Sequence, residues 1–349
     1  MNIGLREATL NFELKDNIGQ EGKNSEVFIA HDKQFDANIV IKKIPKKEFG
    51  SPNDYYREAK CLYASKHQNI VSVNYSCEDD DNIYIAMPHY SQGSLESIIK
   101  TRFLSVREIL KYSIDFLSGL NHIHTKGLIH FDIKPTNILV SSSNEALLTD
   151  FGLAKFTNAQ RIAEQNLFYD LHTAPECLVT NQFTIQVDIY QAGLTLYRLC
   201  NGSNVFKNQL AGVQNKGQLD QLILAGKFPN KDFFLPHIPQ KLRTIIKKAL
   251  EINPVNRYNN LIEMLNDLAK VGENLDWVFT PLQNQHLWSL NKDSKNYEIA
   301  LINNNGAFNI TAYKTMLDSG RKTRETKNFK DNLASKKADI ELKKILKSY

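Results

Sequence analysis

Residues 128–152 read LIHFDIKPTNILVSSSNEALLTDFG. Two short apolar runs, Ile138-Leu139-Val140 and Ala146-Leu147-Leu148, are split by the polar stretch Ser141–Asn144. That spacing predicts two buried strands joined by a turn. Such a hairpin brings Asp132, Asn137 and Asp150 to one end. Carboxylate and amide oxygens gathered there suit Mg²⁺, a hard cation that takes oxygen ligands and keeps waters and phosphate oxygens in its shell. Lys134 adds positive charge where phosphate charge would sit. A solvated turn is the plainer reading of a lone Asp-x-Lys, but the whole string departs from it.

The string resembles the catalytic and metal loops of the eukaryotic-type (Hanks-type) Ser/Thr protein kinases, HRD-x-K-x-x-N followed by DFG. Here the motifs stand as His130-Phe131-Asp132-Ile133-Lys134-Pro135-Thr136-Asn137 and Asp150-Phe151-Gly152. The resemblance covers residues 10–270. It implies an α+β, bilobal protein kinase fold with a β-rich N-lobe over 10–88 and a mainly helical C-lobe over 89–272. Residues 273–349 are left as a small C-terminal appendage.

A chain of 349 residues has room for two lobes and an appendage. Its net charge of +5 does not by itself indicate nucleic acid. Cys61, Cys77, Cys177 and Cys200 form no C-x-x-C pair and no metal-ligand spacing, which suits buried thiols in a reducing compartment. The N-terminus carries charges where a signal peptide needs an apolar core, and no 18-residue apolar run occurs. A soluble, cytoplasmic protein without a membrane partner is expected.

Three strand-like runs open the chain: Phe12–Ile18, Val27–His31 and Asn38–Ile44. Between the first two lies a turn with Gly19 and Gly22, where glycine lets backbone N–H groups approach a phosphate. In the resemblance this is the Gly-rich loop, flanked by Ile18 and by Val27, which covers the nucleotide base. It is one residue longer than G-x-G-x-x-G, with Ser25 where the third glycine would fall. Ile39-Val40-Ile41-Lys42 matches the V-A-I-K strand, with Val40 for alanine in the roof of the adenine slot and Lys42 on the α- and β-phosphates. Residues 54–66 read as a helix capped by Asp54. Its Glu58 is the implied partner of Lys42. Ile83–Met87 reads as a strand broken at Pro88, implying a hinge with Met87 at the back of the pocket, His89 backbone groups near the adenine edge and Leu139 also beside the nucleotide.

Ser105-Val106-Arg107-Glu108 is a capping box opening a scaffold helix. His122 and His124, two apart, face different sides of it and read as structural. Residues 153–173 read as a loop without strong pattern. Beyond it, the resemblance implies structural roles for Glu176 paired with Arg257, for Asp188 bonded to the catalytic-loop backbone, and for His130 and Phe151. In the appendage, Tyr297–Ile302 and Phe308–Tyr313 flank an Asn-Gly hairpin signal. Residues 321–349, with ten Lys/Arg against four Asp/Glu, read as a helix with Leu333, Ala334, Ala338, Leu342 and Ile345 on one stripe. A docked, solvated helix is favoured; a basic face that recruits a partner or nucleic acid is the alternative.

The resemblance implies phosphoryl transfer from ATP to protein Ser/Thr hydroxyls, self-phosphorylation included. Asp132 accepts the hydroxyl proton, Lys134 meets the γ-phosphate, and Asn137 and Asp150 hold Mg²⁺. Phe131 stands where the family has an arginine that clamps an activation-loop phosphate, so activity independent of that phosphate is expected. Tyr169 stands where Ser/Thr kinases place a threonine. Two rival readings are a nucleotide-binding pseudokinase and a small-molecule phosphotransferase related to the aminoglycoside kinases. Against the first, Lys42, Asp132 and Asp150 are all present. Against the second stand Ala174-Pro175-Glu176, Arg257 and Lys134.

Overall fold

The computed structural model describes residues 10–19 and 25–349. Strands β1 (Phe12–Asn17), β2 (Glu26–Asp32), β3 (Ala37–Pro45), β4 (Tyr75–Glu78) and β5 (Asn82–Pro88) form one antiparallel sheet in the order β1-β2-β3-β5-β4. Helix α1 (Arg57–Ala64) packs Ala59 among Ile44, Ile85 and Met87, while its Cys61 and Leu62 join the core of the following lobe. The helix is shorter than expected. Pro52–Asp54 forms a separate 3-10 turn and Tyr56 holds the cap position, so Asp54 does not cap it. Asp54 instead accepts a hydrogen bond from Arg57 at 3.3 Å.

The second lobe is helical: α2 (Leu95–Thr101), α3 (Val106–Thr125), α4 (Gln186–Asn201), α5 (Ser203–Asn208), α6 (Lys216–Leu224), α7 (Gln240–Ala249) and α8 (Leu261–Leu268). The capping box of α3 is complete: Ser105 Oγ accepts from Glu108 N at 3.2 Å, and Ser105 N donates to Glu108 Oε2 at 2.9 Å. Three two-stranded pairs decorate the lobe. They are β6 (Leu128–Ile129) with β9 (Lys155–Phe156), β7 (Ile138–Val140) with β8 (Ala146–Leu148), and β10 (Ala163–Glu164) with β11 (Gln182–Phe183). The stretch 153–173 therefore holds two strands and a 3-10 turn, Asp170–His172, where the sequence suggested only a loop.

Strand β8 is fixed from behind. Val71 N donates to Leu148 O at 2.8 Å, Leu148 N donates to Asn69 O at 2.9 Å, and Asn69 Nδ2 donates to Ala146 O at 3.1 Å. Helix α3 can lie this close because residue 119 is glycine. A Cβ there would stand 2.6 Å from the Asn69 carbonyl oxygen.

The C-terminal region is more extensively β than the sequence suggested. Strands β12 (Val278–Pro281), β13 (Gln285–Lys292), β14 (Lys295–Asn304), β15 (Ala307–Met316) and β16 (Lys322–Arg324) follow in order, and β17 (Lys330–Leu333) pairs with β15. The β14–β15 hairpin turns on Asn305 and Gly306, both at positive φ (52° and 94°), as a two-residue type I′ turn requires. Only Ser335–Lys347 is helical (α9). The expected helix over 321–349 is corrected there: Leu333 ends a strand and Ala334 precedes the helix, while Ala338, Leu342 and Ile345 are buried. Thr326–Asn328 is a 3-10 turn and β16 is a fully exposed edge strand, pairings that a helical period cannot reveal.

Trp277 and Trp288 weld this sheet to the helical lobe through one continuous apolar core. Trp288 Nε1 donates to His237 Nδ1 at 3.1 Å, Trp277 Nε1 donates to Leu346 O at 3.0 Å, and Arg107 grips Asp276 at 2.6 and 2.8 Å. Among the described residues, no helix is long and apolar enough to cross a membrane.

Candidate active site

Cross-strand register places Val27 opposite Lys42 and Val40 opposite Met87, so Val27, Val40 and Lys42 share the sheet face that looks into the cleft. Val40, Met87 and Leu139 meet in one apolar cluster with Ile85 and Leu147. Ile18 and Gly19 sit at the end of β1, each donating its N–H to Val27 O, and Ile18 stays half exposed. Ser25 leads into β2 and His89 follows β5. Gly22 lies outside the described residues.

Lys42 is the centre of the charged cluster. Its Nζ lies 2.7 and 3.0 Å from the two Glu58 oxygens and 2.7 Å from Asp150 Oδ1. Burial works against its charge, but the carboxylates of Asp150 and Glu58 prevail and raise its pKa. Burial would likewise raise Asp150, yet the Lys42 ammonium holds that carboxyl down at about 2. Glu58 is pushed up by burial against the pull of Lys42. Residue 152 adjoins this cluster: a Cβ there would lie at ordinary van der Waals distance, 3.4 to 3.7 Å, from Asp150, Glu58 and Lys42.

The loop carrying Asp132 is held from beneath. Asp188, fully buried on α4, accepts from His130 N and Phe131 N at 2.8 Å each and meets His124 Nε2 at 2.7 Å. Gln191, three residues on, donates to Phe131 O at 2.9 Å and accepts from Ile133 N at 3.0 Å. Sequence reasoning missed Gln191. Its signal was a polar side chain inside a helix apolar nearly all round, which must find partners when buried.

His130 links the two motif loops. Its Nε2 lies 3.2 Å from Thr149 O and its Nδ1 takes the N–H of Asp132 at 3.3 Å. Burial pushes its pKa down, so a neutral ring with the proton on Nε2 satisfies both bonds. Phe151 packs edge-on against that ring at 4.8 Å.

Asp132 has one oxygen committed and one open. Oδ2 takes Lys134 Nζ at 2.9 Å and Asn137 Nδ2 at 2.8 Å. Oδ1 is buried without a partner. Burial raises the Asp132 pKa, Lys134 opposes that, and the nearby Asp150 charge adds to it. Asn137 spends its amide nitrogen on Asp132, which leaves its side-chain oxygen with a long 3.4 Å bond from Thr136. An amide oxygen and an ionised carboxylate at the mouth of the β7–β8 hairpin are the donor types that a hard divalent cation takes.

Farther out, Arg257 forms a two-pronged pair with Glu176 at 2.7 and 2.8 Å, its side chain wholly buried. Phe131, at φ 67° and fully buried, packs edge-on against Phe168 (6.2 Å) and Phe183 (5.8 Å), which themselves lie 5.3 Å apart. These aromatic partners were not legible in the sequence.

A family model described as the protein kinase domain matches residues 12–268. The chain is 28% identical over 300 residues to the serine/threonine-protein kinase PknD of Chlamydia trachomatis, covering 72% of this chain and 30% of that protein. A probable serine/threonine-protein kinase of Clostridium perfringens is 29% identical over 267 residues, covering 74% of this chain and 38% of that one. The probable serine/threonine-protein kinase PknB of Lactococcus lactis is 31% identical over 218 residues, with 62% and 34% covered. The chain thus spans about a third of the length of the curated relatives it matches. With that match spanning both lobes and every motif of the cleft, the chain belongs to the protein kinase domain family.

Proposed function

We propose that this protein transfers the γ-phosphate of ATP to Ser/Thr hydroxyls of protein substrates, itself included, in a reducing, cytoplasmic setting. The observation that carries the reading is the buried, unpartnered Oδ1 of Asp132 beside a Lys134 already paired to the other oxygen. Oriented in this way, Asp132 accepts a hydrogen bond from the incoming hydroxyl and takes its proton. Lys134 stands next to it to meet the transferring phosphoryl group. Lys42, held by Glu58, is poised for the α- and β-phosphates, beneath a roof of Val27 and Val40. Asn137 and Asp150 would hold Mg²⁺, which supplies charge neutralisation to the phosphate oxygens.

The finer reading concerns Phe131. In place of an arginine that would need an activation-loop phosphate, an aromatic residue docks that segment through Phe168 and Phe183. Apolar packing needs no phosphate, so activity is independent of phosphorylation in residues 153–173. The four free thiols fit the reducing setting.

The test is phosphate incorporation from radiolabelled ATP with Mg²⁺, comparing wild type with Asp132→Asn on a generic Ser/Thr substrate and on the protein itself. Label lost in the variant supports the assignment. Nucleotide binding without any label in wild type overturns it in favour of a nucleotide-binding pseudokinase.

A further inference from the structure

The segment before Ala174 holds the catalytic loop by two side chains, Tyr169 and His172, neither of which has a part in the mechanism above. Tyr169 lays its ring over Lys134, with Nζ 4.1 Å from the ring centre. An ammonium at that distance is attracted by the ring quadrupole, and the ring keeps water off that side of the cation. Lys134 Nζ also bonds Asp132 Oδ2 at 2.9 Å, so two contacts hold it, one ionic and one aromatic.

The ring is itself held in place. Tyr169 O accepts from His172 N at 2.9 Å and from Thr173 Oγ1 at 3.1 Å. His172 Nδ1 lies 3.0 Å from Ile133 O, immediately before Lys134 in the chain. Its Nε2 lies 3.0 Å from Arg198 Nη1, and Arg198 pairs with the buried Glu96. Burial keeps His172 well below the ordinary histidine pKa, so it donates from Nδ1 and accepts at Nε2. One short turn therefore grips Ile133 by a hydrogen bond and Lys134 by an aromatic face.

We infer that Tyr169 is a positioning residue for phosphoryl transfer, its ring face fixing the Lys134 ammonium between Asp132 and the incoming phosphoryl group. This rests on the kinase reading above. The effect is assigned to the π-face, which phenylalanine keeps. Tyr169→Phe then keeps wild-type turnover. Tyr169→Leu keeps apolar bulk but loses the quadrupole, and its kcat falls about tenfold while KM for ATP stays within about twofold.

The experiment measures kcat and KM for the three proteins. In parallel, acylation of Lys134 by an amine-reactive ester is followed by mass spectrometry. Faster acylation of Lys134 in Tyr169→Leu, with Tyr169→Phe matching wild type, supports the contact. Equal turnover in all three, or an equal loss in Phe and Leu, overturns the inference. An inactive wild type defeats the kinase reading instead. In that case the acylation arm still decides the contact, which is refuted if Lys134 reacts equally in wild type and Tyr169→Leu.

Discussion

Replacing Phe131 and Phe183 by leucine, singly and together, tests the aromatic docking of the activation segment. Both rings are buried, 0% and 2% exposed, and they meet edge-on with centroids 5.8 Å apart at 76°. Truncation to alanine would cost about 3–5 kcal/mol each. That is a large part of the roughly 5–15 kcal/mol that stabilises a domain, so the folded state itself would be at risk. Leucine keeps apolar bulk and lowers each single cost to about 1–2 kcal/mol. The specific edge-to-face term of about 0.5–1.5 kcal/mol then appears as the coupling energy of the double-mutant cycle. Urea unfolding followed by circular dichroism supplies the four stabilities, and timed proteolysis reads cleavage within residues 153–173. Each leucine variant is expected to be cut faster in that segment, with a coupling of at least about 0.5 kcal/mol. A coupling near zero with unchanged cleavage refutes the latch, and the reasoning that links Phe131 to phosphate-independent activity falls with it.

Arg257→Ala removes one partner of a buried pair and strands Glu176; a loss of about 3–5 kcal/mol in urea unfolding is expected, against under about 1 kcal/mol for an exposed pair such as Lys216–Asp220. Trp288→Phe leaves His237 Nδ1 without its donor and empties part of a fully buried site, and should cost at least about 1–3 kcal/mol. A loss below about 0.5 kcal/mol would show that this bond does not tie the sheet to the helical lobe. Stability should also fall as pH drops below the ordinary histidine value of 6.5. Burial depresses His130, His172 and His237, the last to about 3, so the unfolded chain takes up protons there that the native chain refuses. Each such group contributes a slope of up to about 1.4 kcal/mol per pH unit. Glu58 and Asp132, raised by burial, act in the opposite sense below their own folded pKa values. A flat unfolding free energy between pH 7 and pH 5 would contradict the neutral, buried assignment of the histidines.

What the sequence revealed was chemistry with short-range order. The hairpin around Ser141–Asn144 is legible because two three-residue apolar runs flank a polar turn, and the structure pairs Ile138 with Leu148 across it. The capping box of α3 is legible because its two partners stand three residues apart. Gln191 and the Phe131–Phe168–Phe183 cluster are different. Their partners come from segments far apart in the chain, and no local period encodes a meeting that tertiary packing creates. Strand β13 failed for another reason. Its buried residues, Trp288 and Leu290, alternate with half-buried Leu287 and Ser289, which blurs the period of two. Residues 321–334 misled through composition, since lysine-rich segments suit helices and exposed edge strands alike.

The backbone at the site is strained, and the surrounding bonds explain why it stays so. Phe131 and Asp150 both adopt positive φ, 67° and 62°, a region that costs a non-glycine residue about 1–2 kcal/mol. Around Phe131, Asp188 accepts the N–H groups of residues 130 and 131, and Gln191 holds the carbonyl of 131 and the N–H of 133. Four hydrogen bonds to two buried side chains can outweigh one strained residue, because leaving those buried groups unpaired would cost about 1–3 kcal/mol each. At Asp150 the compensation is ionic, through Lys42. The two strained residues thus flank the cleft, one beside the proposed base Asp132 and one at the proposed cation ligand Asp150 itself, and their supports come from helix α4 and from strand β3. Electrostatic stabilisation of a transferring phosphoryl group depends on such groups being in place before the reaction begins. Placing the supports on rigid elements, and the reactive side chains on the loops those elements hold, meets that demand.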